Sequence, residues 1–241
     1  MKRTIFAVSD VHGHYTELMQ ALEDAGFDAE REDHLFVSCG DLFDRGTENA
    51  RVYAFVRGLK EKILIRGNHE DNLYRILQQG VLEGMDRDNE TDKTIAELIG
   101  PNALDERGCL DVDANAAVIR EILDFLASMT DYYETATHVF THGWLPVTFE
   151  GNRPRISSDW RNATEDEWLF AHTLEWQQLY SVGAVPADKT LVCGHRPARI
   201  GYWFDDTRVS DCSETFYGNR MIAIDAGTIL SGRVNVLIVE E

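Results

Sequence analysis

The sequence predicts an α/β fold, on two observations. Short runs rich in β-branched and aromatic residues alternate with segments whose apolar residues recur at three- and four-residue spacings. Short glycine-containing polar clusters follow directly on several of the strand-like runs, as loops do at the carboxyl ends of strands in such sheets.

The elements follow in order. Thr4–Val8 reads as a first strand, and Tyr15–Ala25 as a helix with Leu18, Met19, Leu22 and Ala25 on one face. His34–Ser38 is a second strand, followed by a helix near Glu48–Lys60. Lys62–Ile65 is a third, leading into a helix near Glu70–Gln79. Residues 80–130 read as mostly helical, with Ile119–Met129 the clearest piece. That stretch is acidic, shows no obvious chemistry and is read as scaffold with the edge of a lid. Strand signals resume at His138–Thr141, Thr190–Cys193, Ile200–Phe204, Met221–Ile224 and Val234–Val239. There is no internal repeat and no Pro/Ser-rich linker, so residues 1–241 are read as a single domain.

Composition narrows the function. The net charge of −19 repels nucleic-acid backbones and anionic lipid, so neither is expected as a partner. No run is long and apolar enough to span a bilayer. The opening MKRTIFAVSD reads as a strand and not a signal peptide, because Ser9 and Asp10 interrupt its apolar stretch. Four cysteines without CxxC spacing are expected as free thiols, and the expected location is cytoplasmic. An anionic substrate would need local positive charge, from metal ions or arginines.

Five clusters carry the chemistry: Asp10-Val-His12-Gly-His14, Gly40-Asp41-Leu-Phe-Asp44-Arg45-Gly46, Arg66-Gly-Asn68-His69-Glu70, Thr141-His142-Gly143 and Cys193-Gly-His195-Arg196. Asp10, His12, Asp41, Asn68, His142 and His195 are all potential ligands of a divalent cation. Mixed aspartate and histidine suit manganese, iron or zinc, and one aspartate can bridge two ions. No cysteine is among the candidates, which argues against a structural thiolate zinc site. One DxH or HG is weak on its own, but chance agreement falls with each added cluster.

The series DVHGH, GDLFDRG, IRGNHE, HGW and CGHRP resembles the calcineurin-like metallophosphoesterase superfamily. GDLFDRG and RGNHE resemble its phosphoprotein phosphatase branch, the bacterial, phage and eukaryotic serine/threonine phosphatases. Ala223-Ile-Asp225-Ala-Gly227, followed by Gly232, is similar to that branch's closing strands, and Asn89–Leu98 and Phe125–Met129 to intervening parts of bacterial members. The resemblance implies two packed mixed β-sheets flanked by helices, a four-layer α-β-β-α sandwich. It implies two divalent ions, with manganese expected and iron or zinc as alternatives. Asp10 and His12 would hold the first ion, Asn68, His142 and His195 the second, and Asp41 would bridge them. A metal-bridging hydroxide would attack phosphorus. His69 would be the general acid, with Asp44 as its partner. Arg45 would bind phosphate, as would Arg161 by a looser match. The implied activity is hydrolysis of phosphate monoesters, phosphoserine and phosphothreonine in proteins foremost, with a phosphorylated protein or a small phosphoester as substrate.

Other residues receive plainer readings. Arg66 braces its turn, Glu70 makes a structural ion pair, and His14 caps or packs near the first turn. His34, His138 and His172 fall outside the clusters, and Arg196 and Arg199 read as solvated. Cys39 and Cys193 should point away from the ligands. Phe43 and Trp144 depart from the commoner residues at their positions, and Trp144 is read as packing. Two other functions compete. Symmetrical dinucleoside tetraphosphate hydrolases, or other nucleotide hydrolases, share most motifs but tend to lack an aspartate at the position of Asp44. A non-catalytic metal-binding scaffold would be expected to have gaps among the ligands, and here none is missing.

Overall fold

A computed structural model describes residues 3–204 and 213–241. Along the first third, β1 (Thr4–Val8), α1 (Tyr15–Asp24), β2 (His34–Ser38), α2 (Asn49–Gly58), β3 (Lys62–Leu64) and α3 (Asn68–Gln79) alternate. Three helices follow: α4 (Gly84–Asp88), α5 (Thr91–Leu98) and α6 (Ala116–Ala127). Then come β4 (Tyr133–Glu134), β5 (His138–Phe140), the hairpin β6 (Val147–Glu150) and β7 (Arg153–Ile156), α7 (Glu165–His172) and α8 (Trp176–Ser181). The chain closes with β8 (Thr190–Cys193), α9 (Arg199–Phe204), β9 (Phe216–Gly218), β10 (Met221–Ala223), α10 (Thr228–Ser231) and β11 (Leu237–Glu240).

Two mixed sheets result. One has the order β11-β1-β2-β3, with β1, β2 and β3 parallel and β11 antiparallel on β1. The other has the order β4-β5-β8-β10-β9, with β5, β8 and β10 parallel and an antiparallel strand on each edge. Strand residues alternate between faces, and here both faces are apolar. Ile5, Ala7, Leu35 and Val37 from one sheet share a buried cluster with Phe140, Val192 and Ile222 from the other, which is the seam between them. Phe6, Val8 and Phe36 face the opposite way, onto Leu18, Val52, Leu73 and Ile122 of the flanking helices. Val139, Leu191, Cys193 and Met221 face outward onto Trp144, Trp168 and Trp176. The expected four layers therefore follow from strands that are apolar on both faces. Each fully buried Phe or Leu side chain contributes about 1.5–3 kcal/mol to holding the layers together.

Two expectations are corrected. Ile200–Phe204 lies within helix α9 and is not a strand. It follows Pro197, whose carbonyl accepts the Ile200 N–H, and that turn starts a helix. The last strand begins at Leu237, later than the expected Val234. Cys39 and Cys193 are buried free thiols and Cys109 is an exposed one, while Cys212 lies outside the described residues. Among the described residues, no helix is long and apolar enough to cross a membrane.

Candidate metal centre

The loops leaving β1, β2, β3, β5 and β8 meet at one edge of the sandwich. The Asp10 N–H donates to Gly40 O and the His12 N–H to Asp41 O, each at 3.0 Å, so the first two loops run zipped together. The Gly194 N–H donates to His142 O at 2.8 Å, and the His195 N–H to Asp10 Oδ2 at 2.9 Å, which joins the second sheet to the first. Eight non-glycine residues among those described have positive φ, and six of them are Asp10, His12, Asp41, Asp44, Arg45 and His195. Such backbone is sparsely populated by residues with a Cβ, and it concentrates where surrounding structure over-determines it. Two glycines make the convergence possible. A Cβ at Gly67 would collide with Asp41, and a Cβ at Gly194 would collide with Ser9 Oγ and Asp10 Oδ2.

Asp41 stands at the centre. Its Oδ2 lies 3.3 Å from His142 Nε2, 3.8 Å from His12 Nε2 and 3.9 Å from His69 Nε2. His12 Nε2 is 3.9 Å from Asp10 Oδ1, and His142 Nε2 is 3.1 Å from Asn68 Oδ1. Two groups of donor atoms, His12/Asp41/His69 and Asp41/His142/His195, each lie within 4.8 Å of one another and share Asp41. His12 Nδ1 is 3.0 Å from Phe43 O, and His142 Nδ1 is 2.7 Å from Cys39 O. A carbonyl can only accept, so both Nδ1 atoms carry a proton and both Nε2 atoms are turned toward Asp41. That is how metal-ligating histidines are held.

The electrostatics agree. Asp10, Asp41, Glu70 and Asp225 are all buried around this point. Burial, followed by Asp225, pushes the Asp10 carboxyl well above the usual range. Burial pushes Glu70 to about 7 and Asp225 to about 6. Burial works against Asp41 too, but His142, His69 and His12 outweigh it and hold Asp41 well below the carboxylate range. Burial opposes charge on His142, yet Asp41 lifts it to about 10. Burial, reinforced by a neighbouring histidine in each case, lowers His12 and His195 to about 3. Such a density of buried carboxylates is costly unless cations offset it. Buried Asp oxygens, the half-buried Asn68 oxygen and the oriented His nitrogens thus fit divalent first-row ions.

His69 Nδ1 lies 2.7 Å from Asp44 Oδ2, and both side chains are buried. Burial opposes the charged imidazole, but Asp41 and Asp44 hold His69 above its ordinary value. Arg45 is exposed at the rim, with Nη1 3.5 Å from His12 Nε2 and Nη2 3.4 Å from Asn89 Oδ1.

Arg161 is not brought to this centre. Its guanidinium donates to Glu134 and lies over the Trp160 ring, 4.2 Å from the centroid. Glu134 also pairs with Lys189, just before the start of β8, whereas His195 follows the far end of that strand. The Arg161 guanidinium is thus committed to Glu134.

Glu70 is corrected as well. Among the described residues it makes no ion pair; it accepts the backbone N–H groups of Gly67, Asp41 and Leu42, each at 2.8 Å. Arg66 braces its turn through Asp131 at 2.7 Å. Arg196 has a partner in Glu175, 3.5 Å away. His172 is buried against Asp71, and Trp144 is buried with its Nε1–H donating to Ala184 O. Sequence reasoning missed Thr91 and Thr94, whose hydroxyls donate to Asp44 at 2.9 and 2.6 Å. It also missed the burial of Asp225 beside Asp10, although the cluster at 223–227 was a signal for it.

The family model for calcineurin-like phosphoesterases matches residues 3–226. A bis(5'-nucleosyl)-tetraphosphatase PrpE [asymmetrical] of Halalkalibacterium halodurans is 26% identical, over 95% of this chain and 87% of that protein. A symmetrical bis(5'-nucleosyl)-tetraphosphatase of Proteus mirabilis is 36% identical over 41% of this chain, and the match spans only 34% of that relative. Among solved structures, a putative diadenosine tetraphosphatase superposes with a TM-score of 0.57 at 14% identity, covering 99% of this chain and 93% of the other. A protein serine/threonine phosphatase from Saccharomyces cerevisiae gives 0.56 at 13% identity, covering 99% and 79%. These structural likenesses show the fold.

Proposed function

The chain belongs to the calcineurin-like phosphoesterase family, and on that premise we propose that it hydrolyses phosphate monoesters of alcohols, phosphoserine and phosphothreonine among them. The observation that carries this reading is the His69–Asp44 pair, 2.7 Å apart, with His69 Nε2 3.9 Å from the central Asp41. An alkoxide is a poor leaving group and gains most from a proton donor, whereas a departing phosphate gains little. An imidazole held by a carboxylate beside the donor cluster is suited to that task.

Asp10 and His12 would hold one divalent cation, Asn68, His142 and His195 a second, and Asp41 both. Two such ions, when bound, offset phosphoryl charge and bring the pKa of a coordinated water from 15.7 toward about 7. The chain's own residues supply the rest. Phe43 O and Cys39 O fix the tautomers of His12 and His142. Asp44 accepts the Nδ1–H of His69, which leaves Nε2 to give its proton to the leaving oxygen. Arg45, at the rim, donates a planar pair of hydrogen bonds to phosphoryl oxygens.

A second reading, hydrolysis of dinucleoside tetraphosphates, is favoured by the relative of that name that aligns over 95% of this chain. A turnover panel with manganese separates the two. It comprises phosphoserine, phosphothreonine and phosphotyrosine peptides, p-nitrophenyl phosphate and a dinucleoside tetraphosphate. The first reading expects the phosphoserine and phosphothreonine peptides to turn over, with His69→Asn keeping its metal and losing about 10²–10⁴-fold on them. Turnover of the tetraphosphate alone selects the second reading. No hydrolysis with any divalent ion makes the protein a metal-binding scaffold.

A further inference from the structure

We propose that Thr91 and Thr94 of α5 are positioning residues for the His69–Asp44 pair, and that this helix aims the proton donor from a segment whose sequence shows no chemistry. The inference rests on the reading of His69 as general acid.

Asp44 is fully buried, and its carboxylate has three side-chain donors. His69 Nδ1 and Thr91 Oγ1 reach Oδ2 at 2.7 and 2.9 Å, and Thr94 Oγ1 reaches Oδ1 at 2.6 Å. An ionised carboxylate only accepts, so both hydroxyls must donate. The torsion that turns a carboxyl group is broad and soft on its own. Donors on both oxygens pin its plane, and with it the direction in which Asp44 receives the imidazole. The same helix also reaches the Asp44 backbone. The Asp44 N–H donates to Asn49 Oδ1 at 2.9 Å, and Asn49 Nδ2 donates to Glu97 Oε1 at 2.9 Å. Asp44 has φ of 73°, a conformation that persists only when its surroundings over-determine it. Thr91 and Thr94 are themselves fully buried, and each spends its hydroxyl on Asp44. A threonine in a helix otherwise tends to bond its own preceding turn.

The test compares Thr94→Val, Thr94→Ser and His69→Asn on phenyl phosphate and on 2,4-dinitrophenyl phosphate, whose leaving group needs no proton. Manganese content and melting temperature are read for each protein. Thr94→Val is expected to lower kcat on phenyl phosphate about 10-fold, the lower end of the effect of such partners. It should change kcat on the dinitrophenyl ester less than about twofold, with manganese retained, and Thr94→Ser should restore most of the loss. Thr91→Val serves as the second arm if Thr94→Val does not fold. Equal losses on both esters, or a serine variant no better than valine, overturns the proposal while His69→Asn still discriminates between the esters. If His69→Asn itself does not discriminate, the reading of His69 fails and the proposal fails with it.

Discussion

The carboxylate of Glu70 accepts the backbone N–H of Asp41 at 2.8 Å, linking the start of α3 to the loop that follows β2. The same oxygen takes the Gly67 N–H, and its partner oxygen takes that of Leu42. Glu70 thus fixes the backbone on both sides of the central aspartate. Glu70→Gln puts an NH2 group against an N–H donor and leaves at least one buried N–H without an acceptor. The cost is about 1–3 kcal/mol. At roughly 2–4 °C per kcal/mol for a chain of this size, a clear drop in melting temperature is expected, together with weaker manganese binding. An unchanged melting temperature would remove Glu70 from this role.

Gly194 lies where a loop of the second sheet packs against Ser9 and Asp10 of the first. Gly194→Ala drives a methyl group into Ser9 Oγ and Asp10 Oδ2, so the variant should lose about 1–3 kcal/mol and bind manganese less tightly. Gly58, at the end of α2, has open space around its Cβ position. Gly58→Ala is therefore a control, expected to be neutral or to stabilise by up to about 1 kcal/mol. Chemical denaturation of the two variants side by side checks this. Similar behaviour of both would contradict the steric account.

The two candidate phosphate-binding arginines should separate. Arg45→Ala is expected to lower kcat/KM on phosphoesters at least tenfold, a loss of about 1.4 kcal/mol in transition-state binding, whereas Arg161→Ala should stay within about twofold. Arg161 instead affects stability through Glu134. Its hydrogen bond is the main reason that Glu134 is held at about 2, against an ordinary 4.5. A carboxylate depressed in the folded state stabilises fully above the unfolded value and stops doing so as pH falls through the folded value. The wild type should thus exceed Arg161→Ala by at most about 1 kcal/mol at pH 7, because the pair is partly exposed. That margin should shrink below pH 4.5 and be gone near pH 2. Urea unfolding of both proteins across this range reads it directly, and a margin that grows on acidification would contradict the assignment.

The sequence was most legible where chemistry and strand ends coincide. Asp10, Asp41, Asn68, His142 and His195 each follow a β-branched or aromatic run and a glycine lies close to each, so residue type, position and backbone freedom point the same way. Ile200–Phe204 misled because a short aromatic run reads alike as a buried strand and as one turn of a buried helix. Thr91 and Thr94 could not be found, since a threonine three residues from another is ordinary on a helix and only the fold brings Asp44 beneath them. Glu70 was misread for a related reason: its partners are backbone N–H groups, which leave no trace in residue identity. Arg161 shows a related limit: it stands in a plausible place, while its hydrogen-bond partner Glu134 lies 27 positions earlier.

The proposed metal centre depends on Asp41 being shared by two donor groups. Manganese titration with elemental analysis of the wild type and of Asp41→Asn, with circular dichroism to verify folding, tests this directly. The wild type is expected to hold two ions per chain and the folded variant neither. A folded Asp41→Asn protein that keeps both ions, or a wild type that binds no divalent ion, would contradict it.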